Sequence, residues 1–270
     1  MAAPEVTILI PNYKTAALTR LCLRLIRKHT DLTKTQVVVI DNDSKDDSLE
    51  YLRTVAWIDL IERPSIPGEA AHEAHAAALD LGLARTTTPY VLSIHTDTLV
   101  KHPAWLTFLM REITSSPRVA GVGSWKLEFK PFPQRLAKQV EFRMQQTYYR
   151  LIGQKNHALA GVGKNHFYLR SHCAMYRTQL LHDFGLNFSA EGEVAGKVMH
   201  KNLVDAGYEM RFLRSEVLAH YLEHLNHATM VLNPEFHQKT REVNKGLKRI
   251  QQGLQRLHAE SIMADETLDK

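Results

Sequence analysis

Residues 5–48 read EVTILIPNYKTAALTRLCLRLIRKHTDLTKTQVVVIDNDSKDDS, and this stretch decides the fold. Val6–Ile10 is a β-branched run that stops at the turn signal Pro11-Asn12. Gln36–Ile40 is a second apolar run, ending in the acidic turn Asp41–Asp47. Between them Leu18, Leu21, Leu25 and Ile26 recur at helical spacing, and Arg27, Lys28 and His29 fall in the last turn, where cations complement the helix dipole. Neither strand alternates polar with apolar residues. Both of its faces must therefore be covered, which is the requirement of a parallel sheet sandwiched between helices.

The alternation continues outward from there. A short helix over Ser48–Thr54 leads to a strand at Ile58–Arg63, an alanine-rich helix at Gly68–Ala84 and a buried strand at Pro89–Ile94. Beyond Lys101 the spacing predicts a helix over Pro103–Ser115 and a strand over Val119–Leu127. A long basic amphipathic helix over Gln134–Ile152 follows Pro131 and Pro133. After a segment with Gly161, Gly163 and Lys164, a helix at Lys197–Asp205 closes at Gly207, and Glu209–Ala219 reads as the last sheet strand. A polar helix after Pro234 and a weakly acidic tail complete the chain.

With 270 residues, 44% hydrophobic and 23% charged, the composition excludes disordered, collagen-like and disulfide-scaffold classes. The length favours one core with additions over two domains. No run reaches the ~18 apolar residues of a membrane span, and the first strand begins too early for a cleavable signal. Cys22 and Cys173 form no disulfide framework, so a reducing, cytoplasmic setting is expected. The net charge of +5 is local: Lys126–Lys155 holds seven basic residues against Glu128 and Glu141, which leaves the remainder neutral. Phe129, Phe132, Phe142, Tyr148 and Tyr149 interleave with that strip. Such a surface suits an anionic acceptor or a peripheral membrane contact through 126–155; no nucleic-acid motif accompanies it.

Ligands of open α/β sheets sit beyond the carboxyl ends of the strands. Those ends present Pro11, Asn12 and Tyr13; Asp41, Asn42, Asp43 and Ser44; and His95, Thr96 and Asp97. His95 and Asp97, two apart at a strand end, fall on one side, where an imidazole and a carboxylate share one divalent cation. A dinucleotide fingerprint is missing from the first turn, as is the glycine-rich cationic loop that a nucleotidyltransferase would place there.

Three motifs in register, ILIPNYK, VVVIDNDSKDDS and TTTPYVLSIHTDTLVKHPAWL, resemble family 2 glycosyltransferases of the GT-A fold over about residues 5–110. HCAMYR through DAGYEMRFLRSEVLAHY resembles the acceptor half of that family. The resemblance implies a Rossmann-like, mostly parallel sheet with a helical insertion and a C-terminal helix. It implies one domain over 1–233, with a donor half 1–125, an insertion 126–160 and an acceptor half 161–233, followed by 234–270. It also implies a UDP- or GDP-sugar donor, held by Pro11, Tyr13, Asp41, Asn42, His75 and Thr96. A divalent cation, Mn²⁺ or Mg²⁺, would sit on His95, Asp97 and a histidine after the last strand, best matched by His220, with His224 and His227 nearby. The acceptor is a hydroxyl of a glycan, a lipid-linked or another compound, and the transfer is inverting.

The sequence departs from the family at three places. His95 stands where the D-x-D motif has its first aspartate, which removes a negative charge and favours Mn²⁺. The E-D pair before the acceptor helix is absent, so the base falls to Glu193 or Glu191 in SAEGEVAGK. No Q-x-x-R-W motif follows, so a non-processive enzyme is expected. These departures leave open a second reading, a catalytically degenerate nucleotide-sugar-binding or scaffold protein.

Overall fold

The computed structural model describes residues 3–127, 166–226, 228–233 and 240–270, together with seven positions between 140 and 151. Seven of the described strands form one sheet: β1 (Val6–Asn12), β2 (Thr35–Asp41), β3 (Asp59–Glu62), β4 (Tyr90–Ile94), β6 (Val119–Gly123), β7 (Cys173–Arg177) and β8 (Glu209–Phe212). Their order is β3-β2-β1-β4-β7-β6-β8. All neighbours run parallel except β7, which is antiparallel to both β4 and β6. The chain builds outward from β1 through β2 to β3, then returns to lay β4 on the other side of β1. That reversal is the topological switch point, where neighbouring connections leave in opposite directions and open a crevice.

The apolar runs are buried on both faces, as their lack of alternation requires. Ile8, Ile10, Val37, Val39, Leu92 and Ile94 pack with α1 (Ala16–His29) and α4 (Trp105–Thr114) in one core. Leu9, Val38, Ile40 and Val91 pack with α3 (Ala71–Ala84) and α6 (Lys197–Asp205) in the other. Gly82 lets α3 lie close on the sheet, because a Cβ there would stand 2.8 Å from Leu9 Cδ2. Two short helices, α2 (Asp47–Leu52) and α5 (Thr178–Asp183), make further connections.

Several expectations are corrected. The strand expected over Glu209–Ala219 ends at Phe212, and Ser215–Leu218 is a short helix, α7. The strand expected to reach Leu127 stops at Gly123, where a Cβ would lie 2.5 Å from the carbonyl oxygen of Cys173. A second, two-stranded sheet pairs β5 (Thr98–Val100) with β9 (Leu222–His224), with Thr98 opposite His224. The described positions between 140 and 151 are helical, as the basic amphipathic reading predicts. Lys130, Arg135, Lys138, Arg150, Lys155 and the Gly161–Lys164 segment lie outside the described residues. No described helix is long and apolar enough to cross a membrane.

The acidic tail is not loose. After α8 (Ala228–Leu232) and α9 (Thr240–Arg256), α10 (Ala259–Ala264) packs on α1, and Ile250, Leu257 and Ile262 join the core. Arg24, 3% exposed on α1, donates to both carboxylate oxygens of Asp269, at 2.9 and 2.5 Å, and to the carbonyls of Ile262 and Met263. Tyr51 donates to Asp269 at 2.7 Å, and the Trp57 indole to the Leu268 carbonyl at 2.9 Å. Removing one partner of a buried ion pair strands the other, so Arg24→Ala is expected to cost about 3 kcal/mol of stability. Urea denaturation of the variant, with Lys34→Ala as an exposed control, checks this.

Candidate active site

The ends of β1 and β2 are locked by one side chain. Asn12 is fully buried, and the two hydrogens of its amide nitrogen are shared among Asp41 Oδ1 at 2.7 Å, Ser44 Oγ at 3.1 Å and Ser48 Oγ at 3.0 Å. Its carbonyl oxygen accepts from Thr19 Oγ1 at 2.6 Å. Asp41 also accepts from the Ser44 backbone N–H on its other oxygen, at 3.0 Å. The turns so fixed put Lys14, Thr15, Asp43 and Lys45 in the left-handed region, with φ of 57°, 61°, 57° and 51°. Each costs roughly 1 kcal/mol or more for a residue with a Cβ, and the hydrogen bonds around Asn12 hold them there. The Lys14 N–H completes the link by donating to Ser44 Oγ at 2.9 Å.

A cleft of about 650 Å³ opens at this switch point. On the β1–β2 side it is walled by Pro11, Asn12, Tyr13 and Asn42. Arg63 and Glu69, which sequence reasoning missed, continue this wall; they ion-pair, and Arg63 donates to Asn42 Oδ1 at 3.2 Å. Asp41, 1% exposed, lies behind the wall and spends its oxygens on internal bonds. Among the expected nucleotide contacts, His75 and Thr96 also face the cleft.

At the end of β4, Asp97 is surrounded by imidazoles. His95 Nδ1 is 3.9 Å and His224 Nε2 3.5 Å from Asp97 Oδ1, while Oδ2 accepts from the Ala228 N–H at 3.1 Å. The β5–β9 pairing and the Leu225 N–H, which donates to the Asp97 carbonyl at 2.9 Å, bring His224 to this point. His172 stacks obliquely 5.1 Å from His224 and shares a 2.9 Å hydrogen bond with Ser124 Oγ. His75 and His95 both approach Ser171 Oγ through Nε2 at 3.0 Å. One hydroxyl carries one proton, so at most one of these nitrogens accepts from Ser171 while the other donates to it.

Burial alone would raise the pKa of Asp97. The charges of His224 and His95 and the Ala228 N–H outweigh it and hold the carboxyl well below its ordinary range. Burial pushes the His75 imidazole down to about 4 against the opposing pull of Asp97. Burial and the neighbouring positive groups lower His172 well below its ordinary value. Near neutrality the pocket therefore holds an ionised carboxylate among imidazoles, two of them neutral.

Two expected groups stand elsewhere. His220 is exposed in the turn after α7 and does not line the cleft. The expectation that 220, 224 and 227 share one helical face fails, because His224 belongs to a strand; His227 lies outside the described residues. Glu191, at φ 57°, is exposed, and Glu193 forms an ion pair with Lys197 at 2.8 Å. The adjoining Val194 and Ala195 line the cleft. Their loop is tied down by Asp80 of α3, which accepts from the N–H groups of Phe188 and Ser189 at 2.6 and 3.1 Å.

Among the described residues, no three His, Cys, Asp or Glu side chains converge into a complete metal shell. Asp97 Oδ1 and His224 Nδ1 are nonetheless buried without a hydrogen-bond partner. A carboxylate oxygen left bare between imidazoles is an incomplete donor set that fits a divalent transition ion, whose remaining positions water and substrate oxygens can fill.

Comparison with known proteins follows the same lines. Residues 7–185 match the family model described as glycosyl transferase family 2. No curated protein sequence matches the chain significantly. Among solved structures, it is similar to the mannosyltransferase PcManGT of Pyrobaculum calidifontis, in complex with GDP-Man and Mn²⁺. The TM-score there is 0.54 at 19% identity, over 78% of this chain and 55% of that one, so this chain spans about half the length of that enzyme. It is also similar to S. aureus TarS 1-349, with TM-score 0.51 and 15% identity, over 93% of this chain and 71% of that one. Both likenesses concern the fold.

Because His75 has its pKa lowered, the unfolded chain binds the extra proton between about pH 6.5 and 4 and the folded one does not. Stability should therefore fall as the pH drops through that window. Thermal melts across it, with the His75 imidazole followed by NMR, are expected to show this loss and a ring that stays neutral at pH 6.

Proposed function

The chain belongs to glycosyl transferase family 2, and from that premise we propose that it transfers a sugar from a nucleoside diphosphate to an acceptor hydroxyl, with inversion and without processivity. The observation that carries this reading is Asp97: a buried, ionised carboxylate at the switch point, with one oxygen bare between His95 and His224. Tyr13, Asn42 and the paired Arg63 and Glu69 wall the side where the nucleotide of a UDP- or GDP-sugar would lie. The aromatic ring offers a face to the base, and the amide and guanidinium offer donors. Asp41 contributes from behind, by shaping the turn that carries Asn42.

Asp97, with His95 and His224, would hold a divalent cation, and imidazole donors favour Mn²⁺ over Mg²⁺. The role assigned in the sequence to His220 passes in this reading to His224. When bound, the cation would neutralise the charge that develops on the departing nucleoside diphosphate. The chain's own part is to orient the two substrates and move one proton. The bond from the anomeric carbon to the diphosphate oxygen breaks, and the acceptor oxygen bonds to that carbon from the opposite side. The acceptor's proton passes to a base, and the nucleoside diphosphate departs with the bonding pair.

Glu193 is the base in this reading. It adjoins the Val194–Ala195 wall, half-buried, with its carboxylate 2.8 Å from the Lys197 ammonium. Glu191 is one helical kink further out and exposed.

Asp97→Ala is expected to remove cation-dependent donor turnover, at least ~100-fold in kcat/KM, since a bound cation supplies several kcal/mol of charge stabilisation. Calorimetry with UDP and GDP, with and without Mn²⁺, should show the matching loss of cation-linked binding in a variant that still unfolds cooperatively. Unchanged turnover in this variant would sink the metal assignment. Glu193→Gln should lower kcat for transfer by ~100-fold or more, the usual worth of a general base, and leave nucleotide affinity in place. A wild-type protein that binds nucleotide sugar and never turns it over would instead be the degenerate binding module.

A further inference from the structure

The wall opposite the nucleotide side is built from two abutting segments. Residues 124–127 leave the end of β6, and residues 168–172 lead into β7; the Arg170 N–H joins them by donating to the Ser124 carbonyl at 3.0 Å. Trp125 packs edge-on against Phe167 and Tyr168, with ring centroids 5.2 and 5.0 Å away. The Arg170 guanidinium lies over the Trp125 ring, 4.8 Å from its centroid, and 6.0 Å from that of Tyr168. Both Arg170 and Lys126 line the cleft.

Of the three cationic side chains that line the cleft, only Arg63 has a carboxylate partner among the described residues. Arg63 lines the same cleft and is ion-paired with Glu69; Arg24, Arg53 and Arg211 are likewise paired with carboxylates. Neither the guanidinium of Arg170 nor the ammonium of Lys126 makes a hydrogen bond or ion pair among the described residues. Stacking uses only the face of a guanidinium. Its N–H donors lie in the plane and stay free, already oriented by the ring beneath. An immobilised fork of donors beside a second free cation is a receptor for an oxyanion. Two unbalanced positive charges match a phosphate monoester better than a carboxylate.

The receptor also has a fixed relation to the reaction centre. Arg170, Ser171 and His172 are consecutive, and Ser171 touches His75 and His95 beside Asp97. The charged wall and the Asp97 pocket are thus joined by one short run of chain and line one cleft.

We propose that Lys126 and Arg170 bind a phosphate group of the acceptor, so that the sugar is delivered to a hydroxyl compound that already carries a phosphate ester. This rests on the glycosyl-transfer reading and names its acceptor class. The phosphate is an anchor and is not altered: the bonds made and broken are those at the anomeric carbon, and the leaving group remains the nucleoside diphosphate. Phe167, 45% exposed beside Trp125, gives the acceptor's carbon skeleton an apolar face to lie against.

The test has two stages. Inorganic phosphate titrated into the nucleotide-free protein is expected to shift the Trp125 indole signal in NMR spectra, and Arg170→Ala or Lys126→Ala to weaken that binding about 10-fold, the loss of one charge-assisted hydrogen bond. Arg170→Lys should restore part of it. Lys126 is exposed, so its variant keeps the test readable should Arg170→Ala fail to fold. In the second stage, transfer is measured to soluble sugar and polyol monophosphates against their dephosphorylated counterparts, and to lysophosphatidic acid against monoacylglycerol in phosphatidylcholine vesicles. Transfer to the phosphorylated members alone supports the proposal, and whichever arm responds names the source. The two alanine variants should raise the acceptor KM about 10-fold and leave the donor Kd within twofold. Equal use of dephosphorylated acceptors overturns the proposal, as does phosphate binding indifferent to both variants or an equal loss of donor affinity. Phosphate binding that depends on Arg170 and Lys126 in a protein that turns over no nucleotide sugar leaves the receptor standing and removes the transferase reading instead.

Discussion

The buried amide of Asn12 ties the end of β1 to the turn after β2 and to the first helix through four hydrogen bonds. Tyr13 and Asn42, which line one side of the cleft, are carried by the turns that this node fixes. The node joins the two turns that hold Lys14, Thr15, Asp43 and Lys45 in left-handed backbone, and so helps offset four unfavourable conformations. A buried amide left unsatisfied is costly, so the node is self-enforcing: each partner that fixes the turn also satisfies Asn12. Asp41 belongs to this scaffold. Its carboxylate is placed by the same turn that an outside ligand would use, but its oxygens point inward and the neighbouring Asn42 takes the exposed position.

A second constraint governs the far side. Asp97 is ionised in a place where burial alone would neutralise it, and it remains so because imidazoles surround it. Their arrangement depends on a strand pair formed by residues more than 120 positions apart, Thr98 and His224. The small sheet thus has a chemical consequence larger than its size: it delivers a second imidazole, that of His224, to the Asp97 carboxylate. With His95 where the family motif has an aspartate, the pocket carries one negative charge fewer and one imidazole more.

Between these two sides the cleft is electrostatically divided. The wall at the ends of β1 and β2 carries a balanced ion pair, Arg63 with Glu69, and the Asp97 pocket a single negative charge. The opposite wall carries Lys126 and Arg170 without counter-charge among the described residues. The basic character of the chain, concentrated by composition in 126–155, reaches the cleft through Lys126, the first residue of that strip.

The sequence by itself determined the sheet. Strand runs such as VTILI and QVVVI, with no polar alternation, have one stable solution, burial on both faces, and local spacing suffices to read it. It also determined which residues stand at the strand ends, since a motif following a strand is placed by the strand; Pro11, Tyr13, Asn42, Thr96 and the His95–Asp97 pair all line the cleft. What only the tertiary structure decided were relations between distant segments. The antiparallel insertion of β7, the inward turn of Asp41 and the choice of His224 at Asp97 over exposed His220 depend on pairings that no local pattern encodes. The same holds for Arg170 over Trp125, 45 positions apart, and for Asp269, which reads as a weak acidic tail until Arg24 is found beside it. Period and propensity act within a few residues, whereas a charge finds its partner across the fold, and that is where the chemistry of this protein was assembled.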